Sequence, residues 1–280
     1  MSPLDPDPPQ ASATAATSTA LPPSQASALL SSFTNFLTVA LHSILYYRKL
    51  YPEATFLTAR AYNLPVHQSR HPGVCAWIRD AVTAVSAQIR SGSARQIALV
   101  IHAPQSFDVV ERWIFDLQSF PATWGDKDTS LGPANDVNDG SREAADENVN
   151  WTDVNEALRG ALSRISHAGQ SRPDLPDGCT FTLGVELRDQ ALPPIQHPQL
   201  WIPAQPDLQP PTENRPDLGR AVGGTATTPI RPVQAGPLFF ECWVEQGKLV
   251  PSFVPSQAAA HSSTAHILGD APQFTTSSSS

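Results

Sequence analysis

From residue 33 to residue 48 the large apolar side chains recur three and four positions apart: Phe33, Phe36, Leu37, Ala40, Leu41, Ile44 and Leu45, with Arg48 on the same stripe. This spacing predicts an amphipathic helix with one face on a core. It should end near Tyr51, because Pro52 disfavours helical geometry in the residue before it. Phe56 to Val66 reads as extended, with Asn63 and Pro65 as breakers. Val74, Trp77, Ile78, Ala81, Val82, Val85 and Ile89 repeat the helical stripe, and Gly92 marks a plausible end.

Ile97 to Ile101 is a continuous apolar run, as expected for a strand covered on both faces. Val109 to Leu117 is a second run, and the short polar loop 103–108 makes the two a hairpin. A third helix is expected from Asp153, with Glu156 completing a capping box, burying Val154, Leu158, Ala161, Leu162 and Ile165. Cys179 to Leu187 alternates apolar and polar, a strand with one wet face. A proline-rich stretch, 192–236, follows and leads into a last strand, Leu238 to Val244. Helices and strands do not alternate as βαβ units, so the fold class is α+β.

Composition changes this picture at the ends and in the middle. Residues 1–27 and 255–280 are Ser, Ala, Thr and Pro with little apolar payload, and 125–148 is rich in Asp, Asn, Gly and Ser. Such segments cannot bury enough apolar surface to offset their ordering entropy, so disorder is expected there. One domain over 28–248 remains, between a tail of 1–27 and a tail of 249–280. The formal charge of −8, with no Lys/Arg run, argues against direct nucleic-acid binding, which needs a basic footprint. No run of 18 apolar residues and no secretory leader are visible, so no membrane association is expected. The three cysteines, Cys75, Cys179 and Cys242, fit neither a disulfide framework nor a zinc pattern and read as reduced thiols.

Candidate chemistry is sparse. Nucleotide-binding, nucleophile-elbow and metalloprotease motifs are missing from the sequence. His67 and His71 have half of a zinc-finger spacing without any C-x-x-C, and read as loop histidines. Asp126-x-Asp128-x-Ser130 begins like a calcium loop but has Leu131 where glycine belongs and Val137 where glutamate belongs. Asp80, Glu111 and Asp116 lie on regular elements and read as exposed faces. Catalytic residues, metal ligands and cofactors are therefore not expected. Trp77 falls on a helix stripe, so core packing explains it. Trp201 is isolated among Pro and Gln, so it is either a clamp onto the domain or a binding anchor.

Several segments together resemble the HORMA domain family. They are Phe36-Leu37, Ile44-Leu45-Tyr46-Tyr47-Arg48, Tyr51-Pro52, Tyr62-Asn63-Leu64-Pro65-Val66 and Ser69-Arg70-His71-Pro72, then Leu99-Val100-Ile101, Val110-Glu111-Arg112-Trp113-Ile114-Phe115-Asp116 and Gly178-Cys179-Thr180-Phe181-Thr182. Pro65-Val66, Ser69 to Pro72 and the Gly-Cys-Thr-Phe-Thr segment resemble the branch that serves DNA polymerase zeta as an accessory subunit. The Glu-Arg-Trp segment suits the spindle-checkpoint branch equally, and that alternative stays open.

The resemblance implies an antiparallel sheet packed on three helices, and a non-catalytic adaptor that captures peptides with a C-terminal safety belt, here 188–248. It implies the nucleus, a role in translesion synthesis and DNA damage tolerance, and the catalytic subunit of the polymerase as partner. Trp77 and Trp201 stand where the family places two aromatics on that partner's peptide; the first is usually Tyr. Thr227, Glu241 and Trp243 stand where it recruits a scaffold translesion polymerase, though all three residue types differ from the usual ones. Arg159 matches an arginine on a dimerisation face, which makes a homodimer or a pair with another HORMA protein an expectation. The checkpoint alternative would instead bind checkpoint and anaphase-promoting-complex regulators. A chain ending near residue 190 is expected to keep its helices and hairpin.

Overall fold

The computed structural model describes residues 23–121, 124, 149–188, 191–192, 201–209 and 211–247. Expectations placed on 1–22, 125–148 and 248–280, the Asp126 motif among them, lie outside the described residues. Among the described residues, three α-helices, α1 (Pro23–Tyr47), α2 (Pro72–Arg90) and α3 (Trp151–Gln170), accompany eight strands. These are β1 (Phe56–Ala61), β2 (Leu64–Ser69), β3 (Ala94–His102), β4 (Val109–Asp116), β5 (Thr180–Leu187), β6 (Ala226–Pro229), β7 (Val233–Ala235) and β8 (Leu238–Gln246). The main sheet is antiparallel in the order β5-β3-β4-β8-β6, with β7 also on β8, while β1 and β2 form a separate ladder.

Helix α1 is the centre of the core. Ala26, Leu29, Leu30, Phe33, Phe36, Leu37, Ala40, Leu41, Ile44 and Leu45 are all buried. The helix therefore begins at Pro23, inside the segment 1–27 that composition marked as a tail, because Ala26 and Leu29 extend the same stripe. Over Gln25–Tyr47 it is long and apolar enough to cross a membrane by length and composition, but those side chains face the protein core instead. It stops at Tyr47, earlier than Pro52 would require. Lys49 adopts φ 53°, Lys49 N–H donates to the Tyr46 carbonyl and Leu50 N–H to the Leu45 carbonyl, the bond pattern that closes a helix with a left-handed residue.

Three other local expectations are corrected. The stretch from Phe56 is a hairpin, β1 paired to β2 through Tyr62 and Asn63, whose φ values of 49° and 57° make the tight turn whose twist matches the strands. Helix α3 starts two residues before Asp153, and its cap is Asn150, whose side-chain oxygen accepts from Thr152 N–H at 3.1 Å and Asp153 N–H at 3.4 Å. Glu156 instead pairs with Arg159. The proline-rich stretch contains β6 and β7 and a short 3-10 turn at Pro206–Leu208, so much of it is ordered by the sheet it crosses.

One buried titratable group makes the fold pH-sensitive. His42 on α1 is 4% exposed and its Nδ1 accepts Ser69 N–H at 3.3 Å, which requires the neutral ring. Burial holds its pKa down at about 4 from the usual 6.5. The unfolded chain thus binds a proton more readily, so stability is full above about pH 6.5 and falls as pH drops toward 4. We expect a loss of about 3 kcal/mol across that window, removed in a His42→Gln variant. Urea midpoints at pH 7 and pH 4.5 for both proteins check it; equal slopes with pH would show that His42 is not the sensor.

Candidate functional site

A free sheet edge is the first element of the site. Strand β5 pairs with β3 through eight register positions, from His102↔Thr180 to Ala94↔Leu187. Among the described residues no strand pairs with its other side. Alternate N–H and C=O groups along that side are left to accept an added strand. The return strand of the C-terminal segment, β8, is docked on β4, two strands away from β5, and so does not itself cover this edge ladder.

Aromatics flank the edge on the helix side. Trp77 projects from α2, half-buried, and meets Phe181 of β5 edge-to-face at 5.0 Å and 86°. Tyr51 meets the same Phe181 at 6.4 Å. The His71 ring caps α2, accepting Val74 N–H at 3.4 Å, with Pro72 opening the helix; this fixes the stripe that carries Trp77. Trp201 is half-buried against the main core, and its Nε1–H is buried without an acceptor among the described residues. A buried, unpaired indole donor costs about 1–3 kcal/mol, so a carbonyl supplied by a ligand would relieve it. No ring contact joins the two tryptophans. Ile202 beside Trp201 and Leu192 near the end of β5 are 80% and 86% exposed, large apolar groups along the same crossing segment.

Thr227, Glu241 and Trp243 come together on the outer face of the sheet, away from the helices. The register Thr227↔Glu245, Pro229↔Trp243 and Asp116↔Glu241 gives them the same parity, Thr227 and Glu241 exposed and Trp243 half-buried. Arg159 lies on α3, 44% exposed and paired with Glu156 at 2.6 Å, a surface ion pair of little energetic weight.

The expectation for Glu111 is wrong. It is 4% exposed and holds the densest polar cluster among the described residues. Arg48 donates Nε to its Oε2 and Nη2 to its Oε1, each at 2.9 Å; Arg172 Nε donates to Oε1 at 3.0 Å and Trp113 Nε1 to Oε2 at 3.3 Å. Arg48 also donates to the carbonyls of Gly169 and Pro173, and Arg172 reaches Thr228 Oγ1 on β6. The carboxylate thus ties the ends of α1 and α3 and the C-terminal segment to β4. The neighbouring Arg112 makes a second buried pair on the opposite face, with Glu245 of β8 at 2.9 Å. A charged dipeptide inside the apolar run Val109 to Phe115 was the available signal for both pairs.

Among the described residues no three His, Cys, Asp or Glu side chains converge to hold a metal. His67 is not in a loop: it lies on β2 and stacks on Tyr46 at 3.5 Å, well separated in role from the capping His71. Burial pushes the thiols of Cys179 and Cys242 above their usual range, which makes them poor nucleophiles.

An antiparallel sheet with β5 at one edge, three helices packed on it and a C-terminal segment that returns to its far side define a HORMA architecture. The family model for the HORMA domain matches residues 30–228, and the chain belongs to this family. It is 33% identical over 216 residues to the DNA polymerase zeta processivity subunit of Schizosaccharomyces pombe, covering 76% of this chain and 91% of that protein. It is 29% identical over 160 residues to the human mitotic spindle assembly checkpoint protein MAD2B, covering 56% and 64%. Among solved structures, a chain of the mitotic checkpoint complex superposes with a TM-score of 0.54 at 20% identity, covering 76% of this chain and 97% of that one. The Caenorhabditis elegans protein HTP-2 bound to the HIM-3 closure motif superposes at 0.52 with 12% identity, covering 81% and 92%.

Proposed function

We propose that this protein is a non-catalytic adaptor that captures a peptide on the free edge of β5, and that it serves as the accessory subunit of DNA polymerase zeta in translesion synthesis, in the nucleus. The observation that carries the capture mechanism is the edge of β5, unpaired among the described residues, with Trp77 packed on its Phe181; Trp201, packed on the core, has a buried indole N–H without an acceptor among the described residues. Main-chain pairing along β5 supplies affinity, and the aromatics select the side chains of the partner. The segment 188–248 acts as the belt, leaving the sheet after β5 and re-docking as β8. The likeness to the polymerase zeta processivity subunit, which spans nearly that whole relative, supports the catalytic subunit as the partner. Thr227, Glu241 and Trp243 offer a surface for a scaffold translesion polymerase, and Arg159 a contact for a second copy or another HORMA protein.

The test is capture of a proline-containing segment of the polymerase catalytic subunit. Trp201→Ala is expected to weaken it by about 2 kcal/mol or more, the scale of a buried aromatic anchor. The unfolding midpoint of the empty protein should move far less. Equal losses of binding and stability would make Trp201 a core residue and remove it from the site. Recovery of checkpoint regulators in place of a large polymerase subunit would favour the spindle-checkpoint assignment.

A further inference from the structure

The buried Arg112–Glu245 pair joins the body of the domain to its C-terminal segment, and every contact around it belongs to one or the other. Arg112 is on β4; Glu245 is directly opposite on β8. The side chains are 6% and 10% exposed, with Nη1 to Oε2 at 2.9 Å. Glu245 Oε2 also accepts Gly223 N–H at 3.3 Å, and its Oε1 accepts Trp243 Nε1–H at 2.8 Å. Leu208 and Ala221 pack beside it on Ala98, Val100, Val109 and Ile114. The crossing segment thus roofs the pair that its own return strand helps to make. Arg112 Nε is buried under this roof without an acceptor among the described residues, so the guanidinium depends on Glu245 for its charge compensation.

We infer that Arg112 and Glu245 are positioning residues that set the register of β8 and hold the belt shut. This rests on the belt reading above. The chemistry is one-sided. When β8 leaves β4, Glu245 departs, the roof lifts, and both charges return to water. When β8 re-docks one residue out of register, Glu245 points to the helix face and Arg112 is buried with no partner. The observed register neutralises both groups and a one-residue slip neutralises neither, so the pair penalises that slip. Removing one charge leaves the other buried and uncompensated in the closed state alone, whereas removing both leaves an uncharged, closable face.

Hydrogen exchange on the full, ligand-free chain tests this with three variants: Arg112→Met, Glu245→Gln, and the two combined. The amide oxygen of Gln keeps the hydrogen bond from one of Trp243 and Gly223, while its NH2 group faces the other. Each single change is expected to speed exchange of the 238–246 amides at least thirtyfold, with the 97–101 amides of β3 much less affected; the double variant should return to within about threefold of the unchanged protein. Equal acceleration on β3 and β8 would show that the pair supports the whole fold and would overturn the inference. So would a double variant no better than the worse single one, or singles that leave β8 unchanged. Because no peptide is present, failure of the unchanged protein to capture the polymerase segment would sink the adaptor reading and leave this result standing.

Discussion

Glu111→Gln is expected to destabilise the protein by about 3–5 kcal/mol, among the largest losses available to a single polar substitution. Arg48 is 2% exposed and the Arg172 side chain 11% exposed, and one carboxylate compensates both. An amide in its place accepts at one oxygen only and leaves two guanidinium charges without a counter-charge. The bidentate contact from Arg48 is broken, because one of its two acceptor oxygens becomes an NH2 donor. The three carbonyls that Arg48 reaches, on Gly169, Arg172 and Pro173, lie at the end of α3 and just after it, so the loss spreads to the junction of α1 and α3. Urea unfolding monitored by tryptophan fluorescence measures it. A change below 1 kcal/mol would mean that the pair only offsets its own desolvation and that replacing Glu111 is tolerated.

Phe240→Ala should cost a similar amount, about 3–5 kcal/mol, although Phe240 belongs to the mobile element of the mechanism. Its ring is fully buried, 5.3 Å from Phe33 and 5.5 Å from Phe36, the two aromatics at the heart of α1. Val233, Ala235, Leu238, Cys242 and Val244 lie in the same core. The consequence reverses the expectation for a chain ending near residue 190. Such a chain would leave the buried face of α1 open to water, and we expect it to aggregate or to lose cooperative unfolding rather than persist as a peptide-free domain. Calorimetry on the truncated chain decides the point: a sharp transition near that of the full protein would show that α1 closes on the remaining sheet.

Belt opening then has a defined energetic content. On the proposed belt mechanism, release of β8 would expose Phe240 and its neighbours as well as the Arg112–Glu245 pair, so dissociation of a captured peptide would require local unfolding of a core strand. A proline-rich surface groove would open at far lower cost. On that proposal, the aromatic core that stabilises the empty fold would also slow release.

Helices α1, α2 and α3, the β3–β4 hairpin and β5 were legible in the chain because each carries a local period that survives without its neighbours. Phe33 to Leu45 repeat at the helical spacing whatever they pack against, and Thr180 to Leu187 alternate whichever strand they join. Trp201 could be singled out because nothing nearby in sequence accounts for a large apolar group among prolines. The turn at Tyr62-Asn63 and the caps at Lys49 and Asn150 were misplaced, since each depends on one backbone conformation that several residue types can supply.

The pairings of charge were decided only in three dimensions. Glu111 meets residues 63 and 61 positions away, and Arg112 meets one 133 positions away. A strand's sequence shows that a charge is flanked by apolar neighbours, but not whether a partner will come to it, and only a partner makes burial tolerable. The short strands β6 and β7 have the same origin: their residues gain a ladder from β8 and carry little pattern of their own. The family and the existence of β5 as a strand thus follow from resemblance and local pattern, while its place at the sheet edge was decided by pairing in three dimensions. The locked position of the belt follows from contacts between residues far apart in the chain, because burial and charge compensation are properties of the assembled core.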